Sequence, residues 1–280
     1  MILNVKIDKE RYDTRMYCNL VYTNAFSKSA SAIPLHMHLI LPRGDKTEKF
    51  PLIIYLGGGG WRVSSPERHL PELAFYAAQG YAVASVEYRT TANSRFPAQI
   101  EDVKTAIRYL RKHCNQFQID PLRVYIMGGS AGAYLAAMTA LTNGTDKFRG
   151  SEYLEYSDNV SGAVCLYGIY DFLKYKDAIL NNDDSAMPLK LFLPETDEKS
   201  LVLASPVSYV SGWSVPFLLL HGTEDTMVSC SQSIELHNLL EKEGANVELY
   251  LFDNAGHADP VFSQAAVQNV ILNFLSKSWR

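Results

Sequence analysis

The chain alternates short, continuous apolar runs with longer amphipathic stretches. "PLIIYL" (Pro51–Leu56), "YAVASVEY" (Tyr81–Tyr88), "RVYIMG" (Arg123–Gly128), "VSGAVCLYG" (Val160–Gly168) and "VPFLLLHG" (Val215–Gly222) are apolar at nearly every position. Runs of that length without alternation predict strands covered on both faces. "IPLHMHLILP" (Ile33–Pro42) reads as a strand ended by proline, and "NVELYLF" (Asn246–Phe252) alternates as a strand does. Between them lie helical patterns. "SPERHLPELAFYAAQG" predicts a helix with Ser65 as cap, Pro66 at its first position and Gly80 as its stop. From Pro97 to Cys114, Ile100, Val103, Ile107 and Leu110 share one helical face. A small-residue helix follows Ser130, "CSQSIELHNLLEKEG" forms another closed by Gly244, and the residues after Asp259 form the last. Residues 1–30 carry no clear pattern.

Strand and helix alternate throughout, which predicts an α/β fold with a mostly parallel central sheet and helices on both faces. In such sheets ligands bind beyond the carboxyl ends of the strands. Gly57–Trp61, Ser130 and Asp225 all fall at such ends, and His257 follows the last strand. No boundary divides the chain, so residues 1–280 read as one domain. The stretch Leu173–Ser200 breaks the alternation and is expected to be a small cap insertion. Its charged residues are Lys174, Lys176, Asp177, Asp183, Asp184, Lys190, Glu195, Asp197, Glu198 and Lys199, which leaves "MPLKLFLP" as its compact apolar patch.

Composition narrows the partners. The chain is 47% hydrophobic and 20% charged, with a formal net charge of −4 and no Lys/Arg-rich run. Nucleic acid and anionic membranes are therefore not expected partners. "MILNVKIDKERYDTR" has no long apolar stretch, so neither a signal peptide nor a membrane span is expected there. Cys18, Cys114, Cys165 and Cys230 are scattered and form no C-x-x-C. Reduced thiols and a cytoplasmic location follow as expectations.

The candidate chemistry centres on "YIMGGSAGAYLAA", where Gly128, Ser130 and Gly132 spell G-x-S-x-G directly between a strand and a helix. A serine at the apex of a sharp strand-to-helix turn needs glycines beside it. A serine hydroxyl is a poor nucleophile until a base takes its proton, and the base needs an orienting carboxylate. "HGTEDTMV" supplies Asp225 and "DNAGHADPVF" supplies His257. Glu224, Asp171 and Asp259 are rival acids; Asp171 in "YGIYDF" reaches the same sheet edge, and Asp225 is preferred. The glycine loop "LGGGGWR" (Leu56–Arg62) can bring backbone amides to a developing oxyanion, with the amide of Ala131 at a helix N-terminus as a second source. Trp61, Tyr167 and Tyr170 are candidate substrate-pocket walls, with plain packing as the alternative. His36 and His38 share a strand face but lack a visible third ligand, so no metal is expected. His221 reads as structural and Asp102 as a solvated or capping-region helix charge.

In order along the chain, "GGGW", "GGSAG", "HGTEDTMV" and "AGHADPVF" resemble the α/β-hydrolase serine esterases of the acetyl-xylan-esterase and hormone-sensitive-lipase-like groups. "FPAQIEDVKTAIRYLRKH" and "ASPVSYV" are similar to intervening segments of those proteins. The resemblance implies Ser130 as nucleophile, His257 as base, Asp225 as acid, and an oxyanion hole from the amides of Gly58, Gly59 and Ala131. Gly57 stands where these proteins commonly have histidine, which leaves open which glycine amides point inward. The expected activity is cofactor-free hydrolysis of short-acyl, acetyl-type esters. The expected partner is a small-molecule ester, with an acetylated oligosaccharide or xylan fragment as the alcohol side. A small serine peptidase or amidase would share the triad, and a non-catalytic binding protein would share the fold.

Overall fold

The computed structural model describes residues 12–181 and 183–277. The reading of the opening residues as free of a leader falls largely on residues 1–11, which lie outside the described residues. The strands are β1 (Thr14–Phe26), β2 (Ala32–Pro42), β3 (Phe50–Leu56), β4 (Ala82–Val86), β5 (Ile119–Gly129), β6 (Gly162–Leu166), β7 (Phe217–Gly222) and β8 (Val247–Phe252). Among the described residues they form one eight-stranded sheet in the order β1-β2-β4-β3-β5-β6-β7-β8. The β1–β2 and β2–β4 pairs are antiparallel. All pairs from β4 to β8 are parallel.

The continuous apolar runs are explained by a core on each face. Successive side chains of a strand point to opposite faces. Leu52, Ile54 and Leu56 of β3 enter one cluster while Ile53 and Tyr55 enter the other. Phe217 and Leu219 of β7 face the first, and Leu218 and Leu220 the second. Helices α1 (Leu70–Ala78) and α9 (Ala265–Lys277) cover the second face through Leu73, Tyr76, Val267, Ile271 and Phe274. The first face is covered by α2 (Ala98–Lys112), α4 (Ala131–Leu141) and α8 (Ser231–Lys242). Short helices complete the chain: α3 (Cys114–Phe117) before β5, and α5 (Lys176–Leu180), α6 (Met187–Phe192) and α7 (Glu198–Ala204) between β6 and β7.

Several expectations need correction. The first helix starts at Leu70 rather than near Ser65, with Pro71 in its first turn. A helix begun at Pro66 would place Pro71 in its interior, where the ring clashes and a donor is lost. The last segment opens with a 3-10 turn over Pro260–Ser263 before α9 begins. Asp102 is not solvated: it is 3% exposed and holds Arg89 at 2.7 Å. Lys104 and Arg108, on the nominally polar side of α2, are also buried, and both face Asp158, at 3.8 and 2.6 Å. The chain between α4 and β6 covers that side of α2, with Arg108 also donating to the carbonyl of Glu152 at 2.8 Å. All four cysteines lie among the described residues and are unpaired. Among the described residues no helix is long and apolar enough to cross a membrane.

Candidate active site

The site is built from the carboxyl ends of β3, β5, β7 and β8. Strand β5 runs directly into α4 at Ser130, which has φ 54° and ψ −120°. That left-handed conformation is costly for a residue with a Cβ, so the surroundings must hold it. The Ser130 amide donates to the carbonyl of Leu166 on β6 at 2.9 Å. Close packing does the rest. A Cβ on Gly128 would run into the backbone of Gly132, and one on Gly132 into the carbonyl of Leu56. Gly132→Ala is therefore expected to destabilise the fold by about 3 kcal/mol or more, at the upper end of overpacking costs. Denaturant unfolding checks this; a midpoint equal to that of the unsubstituted chain would show that the elbow tolerates a side chain.

Three side chains meet above this turn. The Ser130 Oγ lies 2.9 Å from Nε2 of His257. His257 Nδ1 lies 2.7 Å from Oδ2 of Asp225. His257 is carried by the loop after β8 and Asp225 by the loop after β7, so parallel pairing of those strands brings the two loops together. Asp225 Oδ1 accepts from the amides of Met227 and Val228 at 2.9 and 2.8 Å. Burial alone would raise the Asp225 carboxyl. Hydrogen bonds from His221, His257 and the Val228 amide outweigh it and hold the group well below the usual carboxylate range.

The rival acids go elsewhere. Asp171 is buried and accepts from the amide of Leu173 at 2.9 Å. Glu224 is exposed. Asp259 caps the turn before α9 by accepting from the Val261 amide at 2.9 Å. His36 pairs with Glu87 at 3.2 Å, and His38 lies against the amide of Asn19 at 3.4 Å. Among the described residues no cluster of three His, Cys, Asp or Glu side chains could hold a metal.

A pocket of about 120 Å³ opens beside Ser130, Ala131 and His257. Its walls are Gly60, Trp61, Ile169, Tyr175, Pro188, Leu189, Met227 and Val228, with no charged side chain among them. Trp61 both borders this pocket and packs: its ring stacks on Phe192 of α6 at 4.2 Å and meets Tyr134 of α4 edge-on at 5.2 Å. It thereby ties α6, and with it Pro188 and Leu189, to the elbow helix. Gly58 sits directly on the elbow, since a Cβ there would stand 3.1 Å from that of Ser130. The carbonyl of Gly59 accepts from the amide of Arg62 at 3.1 Å, closing the glycine loop into a turn. Ala131 is the first residue of α4, and an amide at that position has no partner within the helix.

The two tyrosines do not line this pocket. Tyr167 stands behind His257, ring to ring at 5.0 Å, and against Phe262 at 4.7 Å. It borders a separate cavity of about 60 Å³ with Tyr55, His69 and Glu72. Burial pushes its hydroxyl up to about 12. Tyr170 is fully buried, with its hydroxyl beside Cys165 and Ser233. Both follow a buried strand, and the turn after β6 aims them inward. Sequence reasoning had Gly60 only as part of the glycine loop, and it missed Ile169, Tyr175, Pro188, Leu189, Met227 and Val228. Met227 and Val228 were legible in principle, because they share the short loop that carries Asp225. Pro188 and Leu189 belong to "MPLKLFLP", whose placement over Ser130 has no local signal.

The strand order, the Ser130 elbow between β5 and α4, and the loops after β7 and β8 define an α/β-hydrolase fold. The chain belongs to the BD-FAE family, whose sequence profile matches residues 37–240. It is similar to the esterase LipQ of Mycobacterium tuberculosis, 33% identical over 217 residues, which cover 74% of this chain and 50% of that protein. It is also similar to the probable carboxylic ester hydrolase LipM of the same organism, 29% identical over 244 residues, covering 82% and 56%. The chain thus spans about half the length of the curated relatives it matches. Among solved structures, a truncated carbohydrate esterase from gut microbiota superposes with a TM-score of 0.78 at 25% identity, covering 97% of this chain and 98% of that one.

Proposed function

We propose that this chain is a serine carboxylesterase that hydrolyses short-acyl, acetyl-type esters through an acyl-enzyme on Ser130. The observation that carries the reading is the continuous hydrogen-bond chain Asp225–His257–Ser130 at the edge of an uncharged pocket. In this reading the Ser130 hydroxyl attacks the ester carbonyl as its proton passes to His257 Nε2. Asp225 holds the imidazole in the tautomer with the proton on Nδ1 and balances its charge. The amides of Gly58, Gly59 and Ala131 receive the developing oxyanion. His257 then protonates the departing alcohol oxygen. A water gives its proton to His257 and attacks the acyl-enzyme, and the acid leaves as Ser130 regains its hydrogen. The chemistry uses no cofactor.

The pocket supports a neutral, small acyl group: its walls are mostly apolar and α6 closes over it through Pro188 and Leu189. An acetylated oligosaccharide is the proposed substrate, its sugar hydroxyl being the alcohol released, a reading supported by the similarity to a carbohydrate esterase. The test is a panel of p-nitrophenyl esters from acetate to palmitate below their solubility limits, with acetylated xylo-oligosaccharides alongside. A long apolar tunnel would reward every added methylene by about 0.8 kcal/mol. A pocket this small is expected to give the highest kcat/KM with acetate to butyrate and no jump in rate when substrate forms micelles. A kcat/KM climbing past octanoate would reject the short-acyl reading in favour of a lipase. Faster turnover of a matched anilide than of the ester would point to an amidase.

A further inference from the structure

His221 is the last residue but one of β7, and its side chain is wholly buried. Its Nε2 lies 2.9 Å from the carbonyl of Val228 and 3.2 Å from Oδ2 of Asp225. Both partners are acceptors, so Nε2 carries the ring proton and shares it between them. On the other side of the ring, Nδ1 lies 2.7 Å from Oγ of Ser233 on α8. With the proton on Nε2, Nδ1 is left to accept from that hydroxyl. Three polar contacts therefore hold one tautomer in one orientation. The Asp225 oxygen that His221 reaches is the same one that accepts from His257. Asp225 thus takes four donors, two amides on Oδ1 and two imidazoles on Oδ2.

Filling space does not explain this side chain. The residues before it are "FLLL", and leucine at this position would add apolar packing without a polar group to desolvate. We propose that His221, oriented by Ser233, is a positioning residue: its Nε2–H fixes the plane of the Asp225 carboxylate and takes part of the charge on Oδ2, tuning the basicity of His257. This rests on the serine-esterase reading of Ser130 and adds to it a polar relay from α8 to the reacting histidine.

The sign follows from Oδ2 being shared. Without the donor from His221, the full carboxylate charge acts on His257 and favours its protonated form. The base form then appears at higher pH, and the acid limb of kcat/KM moves up. The other ionisable groups facing this cluster leave that limb readable. Tyr167 and Tyr175, which feel the Asp225 charge, are both raised by burial, with Arg68 acting on Tyr167 in the lowering direction. Tyr170, beside Ser233, and Cys165, beside Tyr170, are raised by burial as well. Glu224 is exposed, and Asp259 is engaged by the Val261 amide.

The test compares His221→Leu, His221→Gln and Ser233→Ala with the unsubstituted chain. Competent sites are first counted by titration with paraoxon, and kcat/KM per site for p-nitrophenyl acetate is then followed against pH. In His221→Leu, kcat/KM per site is expected to fall roughly tenfold or more, with the acid limb about half a pH unit higher. His221→Gln can still present an amide N–H to Asp225 and should recover much of both. Ser233→Ala should shift the limb in the same direction by less. Fewer titratable sites with an unmoved limb and unchanged rate per site would overturn the proposal, leaving His221 a structural residue. If His221→Leu does not fold, Ser233→Ala decides: an unmoved limb with unchanged rate overturns the positioning role. Failure of the underlying reading looks different, because the unsubstituted chain would then neither turn over esters nor be labelled at Ser130.

Discussion

Ser130→Ala is expected to reduce ester turnover roughly 10⁵- to 10⁶-fold while leaving the fold in place. The Ser130 Oγ stands 2.9 Å from the base, so in the proposed reaction it is the atom that bonds to the substrate carbonyl. What keeps the turn at residue 130 in shape is separate from that hydroxyl. The backbone amide bonds Leu166, and the neighbouring glycines permit the close approach of β3. Alanine at φ 54° meets the same backbone restriction as serine, so the thermal midpoint should stay near that of the unsubstituted chain. Turnover of p-nitrophenyl acetate by purified protein, with circular dichroism and a melting curve beside it, measures both halves. Near-normal turnover by the folded alanine variant would remove Ser130 from the reaction.

Asp225→Asn should cost roughly 10⁴-fold in kcat, and Asp171→Asn far less. The difference lies in what each carboxylate faces. Asp225 is surrounded by donors alone: the amides of Met227 and Val228 on one oxygen, His221 and His257 on the other. An asparagine has one acceptor oxygen and one NH₂, so either flip sets donor against donor. Keeping the oxygen on the two amides turns the NH₂ toward the imidazoles. His257 must then accept on Nδ1 and carry its proton on Nε2, which leaves it unable to take the Ser130 proton. At residue 171 the side-chain amide can keep its oxygen on the Leu173 amide. Parallel kcat measurements on the two variants decide the matter. Equal losses, or a larger one at Asp171, would move the acid to the loop after β6.

The sequence by itself determined the α/β class and the strands from β2 onward, because their signals are local. A strand buried on both faces is a short continuous apolar run, and a strand-to-helix turn around a serine demands glycines at set positions. It also placed Ser130, Asp225 and His257 each beyond a strand, which a parallel sheet turns into one edge. Strand β1 stayed illegible because register shifts between Tyr17 and Leu20 and between Val21 and Thr23 break the alternation that marks a strand. The sequence preferred Asp225 to Asp171, but the tertiary structure alone set Asp225 against His257, since both acids follow strands and the position of His257 depends on how the β7 and β8 loops meet. It alone moved Tyr167 and Tyr170 out of the pocket, put Pro188 and Leu189 into it, and buried Asp102, Lys104 and Arg108 on a helix face that reads as solvated. It alone turned His221 from a buried strand-end residue into a donor on the Asp225 carboxylate. Each of these depends on what covers a residue from a distant part of the chain, and neither periodicity nor motif spacing carries that information, because both are properties of neighbours in sequence.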